Sequence, residues 1–212
     1  MKNSIQYLLL SAIMMTVCSV TEVVAGKPVA QNKASAIALF NGKDLTGWKA
    51  EGGARWEVKQ GILTGRQGPN NEPGDLFTEK SFGNFELSVT YKIVWPANSG
   101  IWYRYQSPKQ AYQADILEYK KPFALSGTLY CPGKLFLATN TDASTVNREG
   151  WNKMVIRAVG DHHTIFLNDK KVAAVQEGSF KTGRIGFQIH AGDQFGKMRI
   201  LIKQVSLREI SE

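Results

Sequence analysis

From Phe85 to Ile93 the chain alternates without a break. Phe85, Leu87, Val89, Tyr91 and Ile93 fall on one side of an extended backbone; Glu86, Ser88, Thr90 and Lys92 fall on the other. Side chains of a strand point alternately to opposite faces, so this pattern predicts a strand with one face buried. Shorter runs of the same character recur at Trp56–Val58, Ile101–Tyr105, Tyr112–Leu117, Lys153–Val159, Thr164–Leu167, Lys171–Val175, Arg184–His190 and Met198–Leu207. Turn formers separate them: Gly52-Gly53, Gly68-Pro69-Asn70-Asn71, Pro73-Gly74, Pro132-Gly133 and Gly192-Asp193. Asn168-Asp169, between two apolar runs, predicts a hairpin, because both residues tolerate the positive φ of its turn. Many short strands and no sustained helical stripe predict an all-β fold, a two-sheet jelly-roll sandwich.

The two ends of the chain read differently. Lys2 precedes an apolar run from Tyr7 to Val17, and Val23-Val24-Ala25 supplies small residues for a cut. This predicts a secretory signal peptide over residues 1–25, cleaved after Ala25, and an exported protein, periplasmic or secreted. The apolar run is short for a bilayer span, so no stable membrane anchor is expected after cleavage. Met15-Thr16-Val17 before Cys18 lacks the small residues that precede a lipidated cysteine. Residues 26–36, small, polar and unpatterned, read as a flexible leader, and residues 37–210 as one jelly-roll domain. With Cys18 removed, Cys131 stands alone, no internal disulfide forms, and stability rests on burial of a core.

The net charge is +8, and removal of Lys2 and Glu22 together leaves it unchanged. The bases are spread along the chain, densest at Lys120-Lys121 and Lys170-Lys171. No basic run interleaves with aromatics, so a nucleic-acid partner is not expected and the charge reads as a solvated surface.

Alternation also selects candidate chemistry. It places Trp102 with Arg104 against Ile101, Tyr103 and Tyr105; Gln113 with Asp115 against Tyr112, Ala114 and Ile116; and Gln188 with His190 against Phe187 and Ile189. If the three pairs share the hollow side of one sheet, they suit a sugar: an aromatic ring covers its apolar face, amides and a guanidinium hold hydroxyls, and a carboxylate or imidazole moves protons. An ordinary solvent-facing sheet surface fits the same residues. Tyr130 fits either the cleft or the core. Trp48, Trp56 and Trp151 read as packing, Cys131 as a small buried residue, and His162-His163 as exposed turn residues. With three histidines, one cysteine after the predicted cut and no close ligand spacing, a structural zinc site is not expected. The sequence requires no cofactor; a divalent cation such as calcium, held by Asp115, Glu118 and His190, is compatible with it.

Phe40-Asn41-Gly42-Lys43-Asp44-Leu45-Thr46-Gly47-Trp48 resembles the opening of the 3-keto-disaccharide hydrolase family, formerly a domain of unknown function. Asn98-Ser99-Gly100-Ile101 with Arg104, Gly150-Trp151-Asn152, Leu167-Asn168 and Gly183–His190 resemble its later motifs in order, from about Leu39 to Ile210. The resemblance implies a concanavalin-A-like fold, shared with lectins and glucanases, and cleavage of glycosides whose ring carbon 3 is a ketone. Many members carry Gly-x-Glu-x-Gln-x-x-Asp where this chain has Ala111-Tyr112-Gln113-Ala114-Asp115-Ile116-Leu117-Glu118. The carboxylate on the inward face has thus moved from the first position to the third, and Gln113, an amide, cannot act as a base.

A ketone at carbon 3 acidifies the hydrogen on carbon 2, which opens a route by elimination and hydration without the paired carboxylates of ordinary glycosidases. On this reading Asp115 or His190 is the base, Arg104 stabilises the enolate, Trp102 stacks on the sugar, and Gln113 and Gln188, with Tyr130, contact it. Two other readings fit the same pattern: a lectin-like module that binds intact sugar, and a module that holds partner proteins.

Overall fold

In the computed structural model the described residues are 35–211. The predicted signal peptide and most of the predicted leader lie outside them. Among the described residues fifteen strands follow one another. They are β1 (Ile37–Ala38), β2 (Trp48–Gly52), β3 (Arg55–Lys59), β4 (Ile62–Arg66) and β5 (Gly74–Phe82). Next come β6 (Phe85–Val94), β7 (Asn98–Ser107), β8 (Gln110–Lys120), β9 (Phe123–Cys131) and β10 (Leu135–Asn140). The last are β11 (Asn152–Val159), β12 (His162–Leu167), β13 (Lys170–Gln176), β14 (Gly183–Ile189) and β15 (Arg199–Glu209). The only helical pieces among the described residues are three single 3₁₀ turns, and no helix is long and apolar enough to cross a membrane.

The strands form two antiparallel sheets. One runs β13-β12-β11-β6-β15-β4-β3, with β1 paired to β15; the other runs β10-β9-β8-β7-β14-β5-β2. The alternation of β6 is realised fully: Phe85, Leu87, Val89, Tyr91 and Ile93 are buried, and the residues between them are not. They meet Ile101, Tyr103, Tyr112, Ala114, Ile116, Ile185, Phe187 and Ile189 from the other sheet in one core. Each large side chain of this core contributes about 1.5–3 kcal/mol on burial, which is how the described residues, with Cys131 as their one thiol and no disulfide among them, hold together. The fold is the predicted jelly-roll sandwich. Asn168 (φ 50°) and Asp169 (φ 66°) take up the left-handed conformation that the hairpin between β12 and β13 requires.

In the sheet containing β7, β8 and β14, both faces of the central strands are buried. Seven consecutive residues of β7, Ser99–Tyr105, are buried, as are Ala111–Leu117 in β8. Phe77, Trp102, Tyr105 and Ala111 form a second buried cluster, on the face turned away from the main core, with Tyr130 packed against it. Something therefore covers both sides of this sheet, and the second cover is the wall of a cleft.

Candidate active site

Strand register decides which side chains share that outer face. Asp75 of β5 pairs with Gln188 of β14, Gln188 pairs with Gly100 of β7, and Gly100 pairs with Asp115 of β8. One step along, Phe77, Gly186, Trp102, Gln113, Tyr130 and Phe136 form a second row across β5, β14, β7, β8, β9 and β10. His190, just past β14, donates its backbone N–H to Asn98 O and opens a third row. Asp75, Asn98, Trp102, Gln113, Asp115, Tyr130, Gln188 and His190 all line one cleft of about 460 Å³, within the range of small-ligand sites.

Two glycines open the floor. A Cβ at Gly100 would lie 2.5 Å from Gln113 Cδ, so the Gln113 side chain rests over the bare backbone of β7. A Cβ at Gly186 would lie 2.3 Å from the Phe77 ring. Trp102, freed to lean across β14, donates its indole Nε1–H to Asp75 Oδ1 at 2.9 Å.

The polar groups differ in how they are held. Asp115 is 3% exposed, and among the described residues no donor reaches its carboxyl; burial alone pushes it well above the usual carboxylate range. Beside it Gln113 Nε2 is buried without a hydrogen-bond partner. Asp75 is pushed up to about 6, chiefly by burial and further by the Glu51 carboxylate, with the Trp102 hydrogen bond, Arg184 and, least, His190 acting in the opposite direction. His190 sets its Nδ1 2.7 Å from Ala191 O. A carbonyl only accepts, so Nδ1 carries the proton and Nε2 of the neutral ring keeps its lone pair. The loop behind His190 is pinned by Gln67, whose Nε2 donates to His190 O (2.8 Å) and Gly192 O (3.0 Å).

This cleft, on a two-sheet scaffold, sits in a chain whose residues 35–209 match the 3-keto-alpha-glucoside-1,2-lyase-like domain. The chain belongs to that family. A 3-keto-disaccharide hydrolase of Bacteroides thetaiotaomicron is 32% identical over 93 residues, which cover 39% of this chain and 32% of that protein. The matched stretch thus spans about a third of the relative's length. Among solved structures, a Parabacteroides distasonis protein provisionally assigned as a glycosyl hydrolase superposes with a TM-score of 0.63 at 23% identity, over 83% of this chain and 94% of that one. A Bacillus subtilis protein of unknown function with a galectin-like fold gives a TM-score of 0.65 at 11% identity, over 82% and 94%. At these identities the two structures speak for the fold alone.

Within this family member the residues predicted for the site divide. Trp102, Gln113, Asp115, Gln188, His190 and Tyr130 come together in the cleft. Arg104 does not. It has a φ of 47°, and the pairing of β7 slips on both sides of it, between Tyr103 and Ser107 against β8 and between Arg184 and Gly186 against β14. This bulge resets the alternation, so Tyr105 joins Trp102 in the cleft and Arg104 turns inward. Its guanidinium is wholly buried and donates to Gly83 O, Gly160 O, Phe180 O and Asn84 Oδ1. The enolate-stabilising role assigned to Arg104 from alternation is therefore wrong: the residue ties three loops at one end of the sandwich.

Glu118 also lies apart from Asp115. The two are an odd number of positions apart on β8, and Glu118 is ion-paired with Arg148. Among the described residues no three His, Cys, Asp or Glu side chains gather to hold a metal ion, so the trio Asp115, Glu118 and His190 does not form a cation site here. His163, expected to be an exposed turn residue, is buried between Tyr103 and Tyr112; only its neighbour His162 is exposed.

Asp75 was missed by alternation because Pro73-Gly74 reads as a turn and Leu76-Phe77 breaks the two-residue period. The available signal was that break itself. Two adjacent apolar residues after a carboxylate mark a strand covered on both faces, and in this sheet the second cover is the cleft.

Proposed function

We propose that the protein cleaves 3-keto glycosides by elimination and hydration in this cleft. The observation that carries the reading is the setting of Asp115: a carboxyl on the floor of a cleft that no donor reaches among the described residues, where burial pushes its pKa well above the usual carboxylate range and favours the protonated form. A protonated carboxyl is a general acid rather than a base. The base role then falls to His190, whose Nε2 lone pair is available.

His190 takes the proton from carbon 2 of the 3-keto sugar. The electrons of the C2–H bond form a double bond between carbons 1 and 2 as the bond from carbon 1 to the glycosidic oxygen breaks. Asp115 gives its proton to the departing oxygen. Gln113 and Gln188, with amide donors beside the sugar position, hold the carbon-3 oxygen while it carries enolate charge, the role that Arg104 cannot fill. Asp75, ionised, steadies the imidazolium formed at His190. Water then adds in the reverse sense: Asp115 carboxylate takes its proton as oxygen bonds to carbon 1, and His190 returns a proton to carbon 2. The net change is hydrolysis, and both residues end as they began. Trp102 and Tyr105 cover the apolar face of the ring. The basic and apolar residues before Ala25 support placing this activity in an exported protein.

The test is product release from a 3-keto glucoside set against the same glucoside unoxidised. Release from the oxidised sugar alone is expected. Binding of both without release from either would make the protein a lectin-like module and overturn the proposal.

A further inference from the structure

The cleft has a second half that the reaction above does not use. Its polar groups stand on β5, β14, β7 and β8. Toward β9 and β10 the wall changes to Tyr119, Tyr130, Leu135 and Phe136, with Pro122 and Pro132 between them. The aromatic rings continue one another: Trp102 to Tyr130 at 6.5 Å, Tyr130 to Phe136 at 6.5 Å and Phe136 to Tyr119 at 6.3 Å between centroids. No charged side chain lines this half, and the nearby Lys134 is turned away to Glu177 and Ser179.

Leu135 carries the inference further. It is 58% exposed and has a φ of 61°. An exposed leucine forgoes its burial energy, and a non-glycine residue in the left-handed region is strained. Two unfavourable choices coincide at one residue on the lip of the cleft. Tyr119 stands beside this wall at 46% exposure. Large apolar groups held open at the mouth of a pocket are the mark of a surface that a ligand covers.

We propose that this half of the cleft receives the leaving group and selects an aromatic aglycone over a second sugar. The inference rests on the proposed cleavage of 3-keto glycosides and names its substrate class. A second sugar would bring several hydroxyls to a wall whose side chains offer only the phenols of Tyr119 and Tyr130, and each unpaired hydroxyl opposes binding. A flat aromatic ring asks for no such partners and stacks on Tyr130 and Phe136. The position suits the chemistry, since Asp115, the acid for the departing oxygen, stands on β8 between the sugar half and this wall.

The experiment compares kcat/KM of the full chain for a benzyl 3-keto glucoside, whose alcohol is no better a leaving group than a sugar hydroxyl, and for a 3-keto disaccharide of two glucose units. The aromatic substrate is expected to lead by tenfold or more, and Phe136→Ala and Leu135→Asn to bring the ratio toward one. Asparagine accepts the left-handed conformation, so Leu135→Asn should fold at least as well as the parent. An equal or better disaccharide, or a ratio unchanged in both variants, overturns the inference. Calorimetry with the two unoxidised glycosides separates this from failure of the proposed cleavage. If neither oxidised substrate is cleaved, tenfold tighter binding of the aromatic glycoside, lost in Phe136→Ala, still supports the subsite. Equal binding of the two overturns it.

Discussion

Trp102 Nε1 donates to Asp75 Oδ1 at 2.9 Å, reaching diagonally across β14, where Gly186 is the partner of Trp102 and Gln188 that of Asp75. The bond does two things at once. It fixes the indole plane in the cleft, and it favours the ionised form of a carboxyl that burial pushes up to about 6. In the proposed reaction Asp75 acts as the anion beside His190, so activity should fall on the acid side as Asp75 is protonated, with a limb near pH 6. Trp102→Phe keeps an aromatic ring but deletes the donor. A lost hydrogen bond of about 1 kcal/mol raises the carboxyl by half to one pH unit, and the acid limb should move up by that amount. A pH profile of kcat/KM for the two proteins reads it directly; coincident limbs would detach Asp75 from the reaction.

Asp115 predicts a gain and a loss in one substitution. Its folded-state pKa is raised by burial, so above the carboxylate range of the unfolded chain the fold must either keep a proton or bury a charge. That penalty is absent in acid and grows as pH rises. Asp115→Asn removes it, and thermal unfolding should show a higher Tm than wild type, with the difference wider at pH 8 than at pH 5. Turnover should fall at least about a hundredfold, because an amide cannot protonate the leaving oxygen. A variant that unfolds earlier, or one that still turns over, would remove Asp115 from the role of acid.

Arg104 predicts the opposite separation. Its guanidinium satisfies three backbone carbonyls and Asn84 Oδ1 in the interior. Arg104→Met strands those acceptors and should cost about 3–5 kcal/mol in urea unfolding. At a temperature where the variant remains folded, kcat per folded molecule should stay within a few-fold of wild type. A hundredfold loss of kcat in a folded variant would restore Arg104 to the chemistry.

These residues also show where reading the chain by alternation succeeds and where it stops. β6 was legible because its outer face is solvated, so burial and polarity alternate together. The same logic placed Gln113 with Asp115 and Gln188 with His190. It failed at Arg104, where one bulged residue shifts every later side chain of β7 to the other face, and nothing in Tyr103-Arg104-Tyr105 announces the bulge. It failed differently at β5, β9 and β10, which were not read as strands. Where a sheet is covered on both sides, apolar residues occupy adjacent positions, as Leu76-Phe77 do, and the period disappears. The family motifs suggested the proposed substrate chemistry, but not Asp75 or, Tyr130 apart, the apolar wall.

His163 provides a test of the core rather than the cleft. Its Nε2 lies 2.8 Å from Glu177 O, so that nitrogen carries the proton, and Nδ1 accepts from Tyr103 OH at 3.1 Å. The ring packs 4.4 Å from that of Tyr112, and burial, with a smaller push from Arg104, lowers it from 6.5 to about 4. The folded state therefore binds this proton less readily than the unfolded chain does. The resulting stability is complete above about pH 6.5 and is lost as pH falls toward 4. Asp75, raised to about 6, acts with the opposite sign over part of this window, which would mask the effect in wild type alone. A His163→Gln variant retains Asp75, so the difference between the two proteins isolates the imidazole. Between pH 7 and pH 4.5 wild type should lose about 2–3 kcal/mol more unfolding free energy than the variant. Parallel curves would mean that the imidazole titrates alike in the folded and unfolded chain, and that burial does not hold it neutral.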